Sequence, residues 1–228
     1  MVVRTPRRRA RLVGFTDRAV VLFNDRLLAI LWNASLRRRG VDMGAAVRVL
    51  GRPIVSLASG SSVSIGDRSV LISRPAATAL GVARPVILRT LRTGARIEIG
   101  ADVGMSGTTV CAATSITIGD RVLFGADVVV SDTDFHAIDA IPRRYEPLPE
   151  SKPTDAVVIG SDAFVGARSI VLKGAVIGSG SVIGAGSVVT GTIPEGVVAA
   201  GNPCRVIRPL PPQGSRELLA AQGERDRT

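Results

Sequence analysis

A six-residue period governs most of this chain. Residues 159–194 divide without remainder into IGSDAF, VGARSI, VLKGAV, IGSGSV, IGAGSV and VTGTIP. The first positions are Ile159, Val165, Val171, Ile177, Ile183 and Val189. The fifth are Ala163, Ser169, Ala175, Ser181, Ser187 and Ile193, mostly small. A period of six fits neither a 3.6-residue helix nor simple strand alternation. β-branched residues followed by turn-tolerant ones imply one short strand and one corner per unit. Three units make a coil of about 18 residues with three flat faces, and stacked coils hydrogen-bond at about 4.8 Å. Aliphatic first positions then form an interior column, and small fifth positions fit beside the corners.

The same frame is expected upstream through Ile87, Thr93, Ile99, Met105 and Cys111. One extra residue shifts it to Ile118, Phe124 and Val130, and a weaker copy starts at Ile65 and Leu71. Aromatic residues are only 3% of the chain while 25 residues are glycine, which suits a narrow Val/Ile/Leu core with many turns rather than a core of rings. The expected architecture is all-β: a parallel coil over residues 46–210, preceded by a basic arm and helix (1–45) and followed by a tail (211–228). Residues 17–39 read as an amphipathic helix, capped by Asp17, closed by Arg37, Arg38 and Arg39 at the negative dipole end, and stopped by Gly40. A coil has open ends that invite pairing; the helix and the tail, with a short helix at Ser215–Gln222, are candidate covers.

Charge is concentrated at the start. The chain carries a formal +10, and residues 1–42 supply +7 of it through ten Arg and three Asp. A solvated arm is one reading; attraction to an anionic membrane surface or anionic ligand is the other. Nucleic acid is not expected as a partner, because the basic runs lack interleaved aromatics. The apolar runs at 19–23 and 27–32 are split by Asn24, Asp25 and Arg26, so no membrane span is expected. Two cysteines, Cys111 and Cys204, suggest no disulfide framework and fit a reducing cytoplasm.

The rhythm stops after Val130 and resumes at Ile159. Between them lies SDTDFHAIDAIPRRYEPLPESKPTDAVV, whose four prolines exclude regular coils. A loop extruded over about 131–156 is expected. It contains the chain's one histidine, His136, with Asp132, Asp134, Asp139, Glu146 and Glu150 nearby. The repeats, the SDTDFHAID segment and the closing VVAAGNPCRVIRPL (197–210) together resemble the left-handed β-helix acyltransferases. Maltose, galactoside and exopolysaccharide O-acetyltransferases are the nearest in appearance. The resemblance covers about residues 50–210, and the left hand of the coil is implied by it alone.

That resemblance implies a homotrimer with acetyl-CoA in the groove between neighbouring prisms, and no metal. His136 is implied as the general base that takes the proton of an acceptor hydroxyl. The chemistry is reasonable: an alcohol is a poor nucleophile at neutral pH, and imidazoles as a class are matched to proton transfer there. Direct transfer needs no acyl-enzyme, which leaves Cys111 and Cys204 as packing residues. Asp139 is the candidate for orienting the imidazole. On the coenzyme side the resemblance implies Phe164, Ala167, Ala185 and Thr190, with Arg205 and Arg208 toward the phosphates. The lysine that often follows the threonine in that family is Gly191 here. Ser106 and Asp134 are assigned to the acceptor. The expected activity is acetyl-CoA-dependent O-acetylation of a saccharide hydroxyl in surface-glycan synthesis, by a cytoplasmic enzyme with possible peripheral membrane contact. The alternatives are an antibiotic acetyltransferase and a non-enzymatic β-helix scaffold. One histidine is too few for the roughly three that a zinc hydratase on this scaffold would need.

Overall fold

The computed structural model describes residues 28–211, and they form a three-sided prism. Three sheets of seven, eight and six strands make its faces, and strands follow one another face by face around the axis. Every lateral pairing is parallel except the last, where Arg205–Pro209 runs antiparallel to Val197–Ala200. The domain pieces assigned to residues 1–27 and 212–228, including the Asp17 cap and the short helix at Ser215–Gln222, lie outside the described residues.

The interior column is the one the period predicts. Ile159, Val165, Val171, Ile177, Ile183 and Val189 are all at most 1% exposed. Full burial of such a side chain stabilises by about 1.5–3 kcal/mol relative to exposure. The fifth positions are buried too, and their serines do more than fit. Ser169 Oγ donates to Gly184 O and accepts from Ser187 N. Ser181 Oγ donates to Pro194 O and accepts from Val197 N. Ser187 Oγ donates to Gly184 O and accepts from Gly201 N. Each hydroxyl thus satisfies backbone groups that the corners leave out of the ladders.

Upstream the expected frame needs correction. Leu88 and Val110 occupy the column of the third face, in register with Val130, Val171 and Val189. Ile87 is half-buried on the outer side, Thr93 is exposed in a turn, and Cys111 lies beside the column position rather than in it. The reason is unequal coil length. Ile159 pairs with Ile177, a strict 18-residue coil, whereas Ile65 pairs with Ile99, 34 residues on. The surplus includes a second excursion, residues 73–86, between the second and third faces. Its cue was available in RPAATALGVARP, which has a proline near each end and none of the aliphatic rhythm. Asp127 holds this excursion down, both carboxylate oxygens accepting Ala83 N at 2.9 and 3.1 Å.

Residues 28–38 are helical and cover the first open end. Leu36 is 2% exposed, Trp32 packs on the core, and Asn33 Nδ2 donates to Val47 O at 2.8 Å. Gly40 ends the helix at φ +87°, a conformation open to glycine at little cost. Leu28, Ile30 and Leu31 remain exposed on the outer side. No helix of the described residues is long and apolar enough to cross a membrane.

Candidate active site

The histidine loop leaves the third face after strand Val129–Ser131, and its root is tied down before it departs. Asp132 is 1% exposed, and its carboxylate accepts Ala113 N at 2.6 Å and Thr114 N at 2.8 Å from the preceding coil. Burial pushes this carboxyl above its ordinary range, against the lowering effect of the amides that point at it. Ser131 Oγ donates to Thr133 O and accepts Thr133 N; Thr133 Oγ1 accepts Phe135 N at 3.2 Å. Side chains of this short polar run therefore hold its own backbone, as Ser, Thr and Asp do in turns.

The next turn aims the imidazole. His136 N donates to Asp134 O at 2.7 Å across Phe135, whose φ is +62°. A three-residue turn with a positive central φ is rare, and the left-handed region is costly for a bulky residue. Such geometry persists only where its surroundings impose it. Here Asp134 is also gripped from the following coil by Lys173, with Nζ to Oδ2 at 2.5 Å. Lys173 escaped the sequence reading; its cue is that one of only two lysines in the chain stands in a run of small repeat residues. Asp134, assigned to the acceptor, is thus engaged in an ion pair beside the histidine. The Asp134 carboxylate holds the Lys173 ammonium above its usual range.

The imidazole of His136 is exposed and makes no hydrogen bond among the described residues. Asp139, the candidate orienting group, is also exposed and does not meet it. The remaining residues fall elsewhere on the prism. Phe164 projects outward from the second face, 39% exposed. Ala167 and Ala185 stack at the corner between the second and third faces, where a Cβ on Gly166 would lie 2.5 Å from Ala185 N. Main chain packs directly on main chain there. Ser106 ends a second-face strand beside the same corner. Thr190 is exposed at the corner that also releases the histidine loop. Arg205 and Arg208 are exposed on the last strand, each bonded to a nearby carbonyl, Cys204 O and Pro209 O. One chain therefore brings together His136, Asp134 and Lys173, and separately Ser106, Phe164, Ala167 and Ala185, on different corners.

The thiols are unsuited to nucleophilic attack. Cys111 is pushed up to about 11 by burial, with Arg89 opposing and Asp132 assisting. Burial also raises Cys204, against Ser187 and Arg205. Both stay protonated near neutral pH and serve as packing.

Two family models match. Residues 156–191 fit the bacterial transferase hexapeptide, six repeats, and residues 115–131 fit the hexapeptide repeat of succinyl-transferase. Over these two stretches the chain is similar to the hexapeptide-repeat transferases. The two matched blocks stop at either side of the histidine loop, so the models describe the scaffold and leave the loop to be read from its own residues. A galactoside O-acetyltransferase from Escherichia coli is 38% identical over 118 residues, covering 51% of this chain and 56% of that protein. A probable acetyltransferase from Mycobacterium tuberculosis is 30% identical over 196 residues, covering 84% of this chain and 57% of that protein. The chain spans about half the length of the curated relatives it matches. Among solved structures, AntD, an N-acyltransferase from Bacillus cereus in complex with dTDP and 3-hydroxybutyryl-CoA, superposes with a TM-score of 0.59 at 18% identity, over 86% of this chain and 97% of that one. The fold is thus the left-handed parallel β-helix of hexapeptide transferases, with a helix before it.

Proposed function

We propose that this chain is an acetyl-CoA-dependent O-acetyltransferase whose acceptor is a saccharide hydroxyl and whose base is His136. The observation that carries the reading is the state of the imidazole. It is the chain's one histidine, it is exposed, and it stands on a strained turn secured by buried Asp132 and by the Asp134–Lys173 pair. An unpartnered imidazole on so constrained a support is arranged to meet a substrate. It would accept the acceptor's hydroxyl proton as the oxygen attacks the thioester carbonyl, and coenzyme A would leave as the thiol. The protonated, buried cysteines favour this direct route over an acyl-enzyme. Similarity to galactoside O-acetyltransferases supports a sugar acceptor.

The acetyl-CoA arm is assigned to the corner of Ala167 and Ala185, with Phe164 as the aromatic contact of the coenzyme, and the phosphate side to Thr190, Arg205 and Arg208. Exposed guanidinium groups suit a polyanion. Because His136 and this corner are separated within one chain, a complete site requires two copies, and a homotrimer is the arrangement proposed. The outer surfaces favour it. Ile54, Ile87, Val129, Ile170 and Val188, interrupted by Thr109 between Ile87 and Val129, form a mostly apolar column along the outside of the third face. Leu123, Phe164 and Val182 do so on the second. The first face instead presents Asp42, Ser64, Glu98 and Thr117 over its first four coils. The two apolar faces flank the small-residue corner, as a threefold contact there would need. A role in surface-glycan synthesis in the cytoplasm, with peripheral contact to anionic lipid through residues 1–42, completes the proposal.

The test is His136→Ala. Transfer of radiolabelled acetyl groups should fall by roughly 10²–10⁴-fold while calorimetric CoA affinity is unchanged. Wild-type turnover in the variant would remove the histidine from the mechanism. Acetylation of antibiotics with none of any sugar would overturn the acceptor class.

A further inference from the structure

A second feature of the histidine loop lies on the first face. There a cleft of about 510 Å³ opens between the strands Arg96–Ile99 and Ser115–Ile118 and the returning limb of the loop. Its volume is in the range of small-molecule sites. Arg96 and Glu98 project into it side by side, with Ser115 and Thr117 opposite them in register. Neither Arg96 nor Glu98 has an ion-pair partner among the described residues.

Both limbs of the loop are fastened to the wall of this cleft. The outgoing limb is held where Asp132 accepts Ala113 N and Thr114 N. The returning limb is held where Arg92 Nη2 donates to Leu148 O and Pro149 O, and where Ser151 Oγ donates to Ala113 O at 3.3 Å. Yet two polar atoms of the lining are buried without partners, Arg92 Nε and Thr114 Oγ1. Buried polar groups left unpaired are uncommon and ask for a reason.

We propose that this cleft is a saccharide subsite, taking the sugar units of the acceptor that adjoin the one acetylated at His136. The inference rests on the saccharide reading above and deepens it. The lining combines two cations, Arg92 and Arg96, with one carboxylate and several hydroxyls, and has no aromatic or large aliphatic wall. A polyol, whose every hydroxyl both donates and accepts, can satisfy that set. The lack of an apolar wall disfavours a hydrophobic drug. The cleft lies on a different face from the Ala167 and Ala185 corner assigned to the coenzyme arm. The loop that presents His136 also bounds the cleft through Ser151, and an acceptor of more than one sugar is proposed to span the two.

The experiment measures acetyl transfer to graded acceptors: glucose, maltose and maltotriose, and galactose with its β-linked oligomers. Wild-type protein is compared with Glu98→Gln and Thr117→Val, whose side chains lie outside the core. Wild-type kcat/KM should rise about tenfold or more from the monosaccharide to the longer members, the scale of one or two hydrogen bonds to charged or hydroxyl groups. Both variants should lose that rise while monosaccharide transfer stays within about twofold and melting is unchanged. Equal kcat/KM at every length, or equal losses on short and long acceptors, would overturn the cleft and leave the saccharide reading standing. Transfer to none of the sugars would overturn that reading and the cleft with it.

Discussion

Replacing Asp132 with alanine should loosen the histidine loop without unfolding the prism. The carboxylate holds two backbone amides of the neighbouring coil at 2.6 and 2.8 Å. Leaving a buried donor unpaired costs about 1–3 kcal/mol, and Ala113 is 4% exposed while Thr114 is half-buried, so water can replace one bond better than the other. Removing the charge returns part of the cost of burying it. The net loss should be about 2–4 kcal/mol, borne by the segment that follows rather than by the aliphatic column. At about 1.4 kcal/mol per factor of ten, the open loop becomes roughly 30- to 1000-fold more populated. Amide exchange over residues 133–156 reads this directly. Exchange there should accelerate by that factor while the strands of residues 157–189 keep their protection. Acetyl transfer should fall with CoA affinity intact, and Asp132→Asn, which keeps one acceptor oxygen, should recover part of both. Wild-type exchange across the loop in Asp132→Ala would refute the anchoring argument.

Gly166→Ala should lower the melting temperature, because its Cβ would meet Ala185 N at 2.5 Å with backbone on both sides; overpacking of this kind costs about 1–3 kcal/mol, and a differential scan would show it. Arg205→Ala should weaken acetyl-CoA binding about tenfold or more in calorimetry with little change in acceptor KM, as loss of a charge-assisted phosphate contact implies. Arg121→Ala, although it breaks a bidentate pair with Asp162 at 2.6 and 2.8 Å, should leave the melting midpoint almost unmoved, since both side chains are about half exposed and screened. The acid dependence has two opposed parts. Asp102 and Asp162 are held low by their hydrogen bonds to Arg68 and Arg121, so their contribution is present above the ordinary value of about 3.9 and is lost as pH falls through the folded values. Asp132 is held high, so its contribution is complete below about 3.9 and is lost as pH climbs through its raised folded value; melts of Asp132→Asn over that window should lack this loss.

Much of the architecture was legible because a repeat states the same local rule many times. Ile159, Val165, Val171, Ile177, Ile183 and Val189 are read as one column from spacing alone, and all six are buried. Gly40 reads as a stop and adopts a positive φ. Where the repeat is imperfect, the same reasoning slips. Ile87 and Cys111 satisfied a spacing of six, but Leu88 and Val110 face inward, because the excursion at 73–86 and other added residues reset the phase. Alternation punishes such an error fully: one residue of slip exchanges the two sides of a strand.

The histidine loop divides along a similar line. A break in a strict period, with the chain's one imidazole inside it, is visible in the letters of the sequence. Neither Asp132 as the buried anchor nor Lys173 as the partner of Asp134 is visible there. Asp132 lies 18 and 19 residues from the amides it binds, and Lys173 lies 39 from Asp134. Sequence alone determined the periodic elements, since each strand and corner depends on residues within six of one another. Tertiary structure decided which residues meet across coils, since stacking brings together positions separated by whole coils of unequal length. It also decided that the histidine and the small-residue corner stand apart in one chain, because a rigid prism places successive corners on different edges.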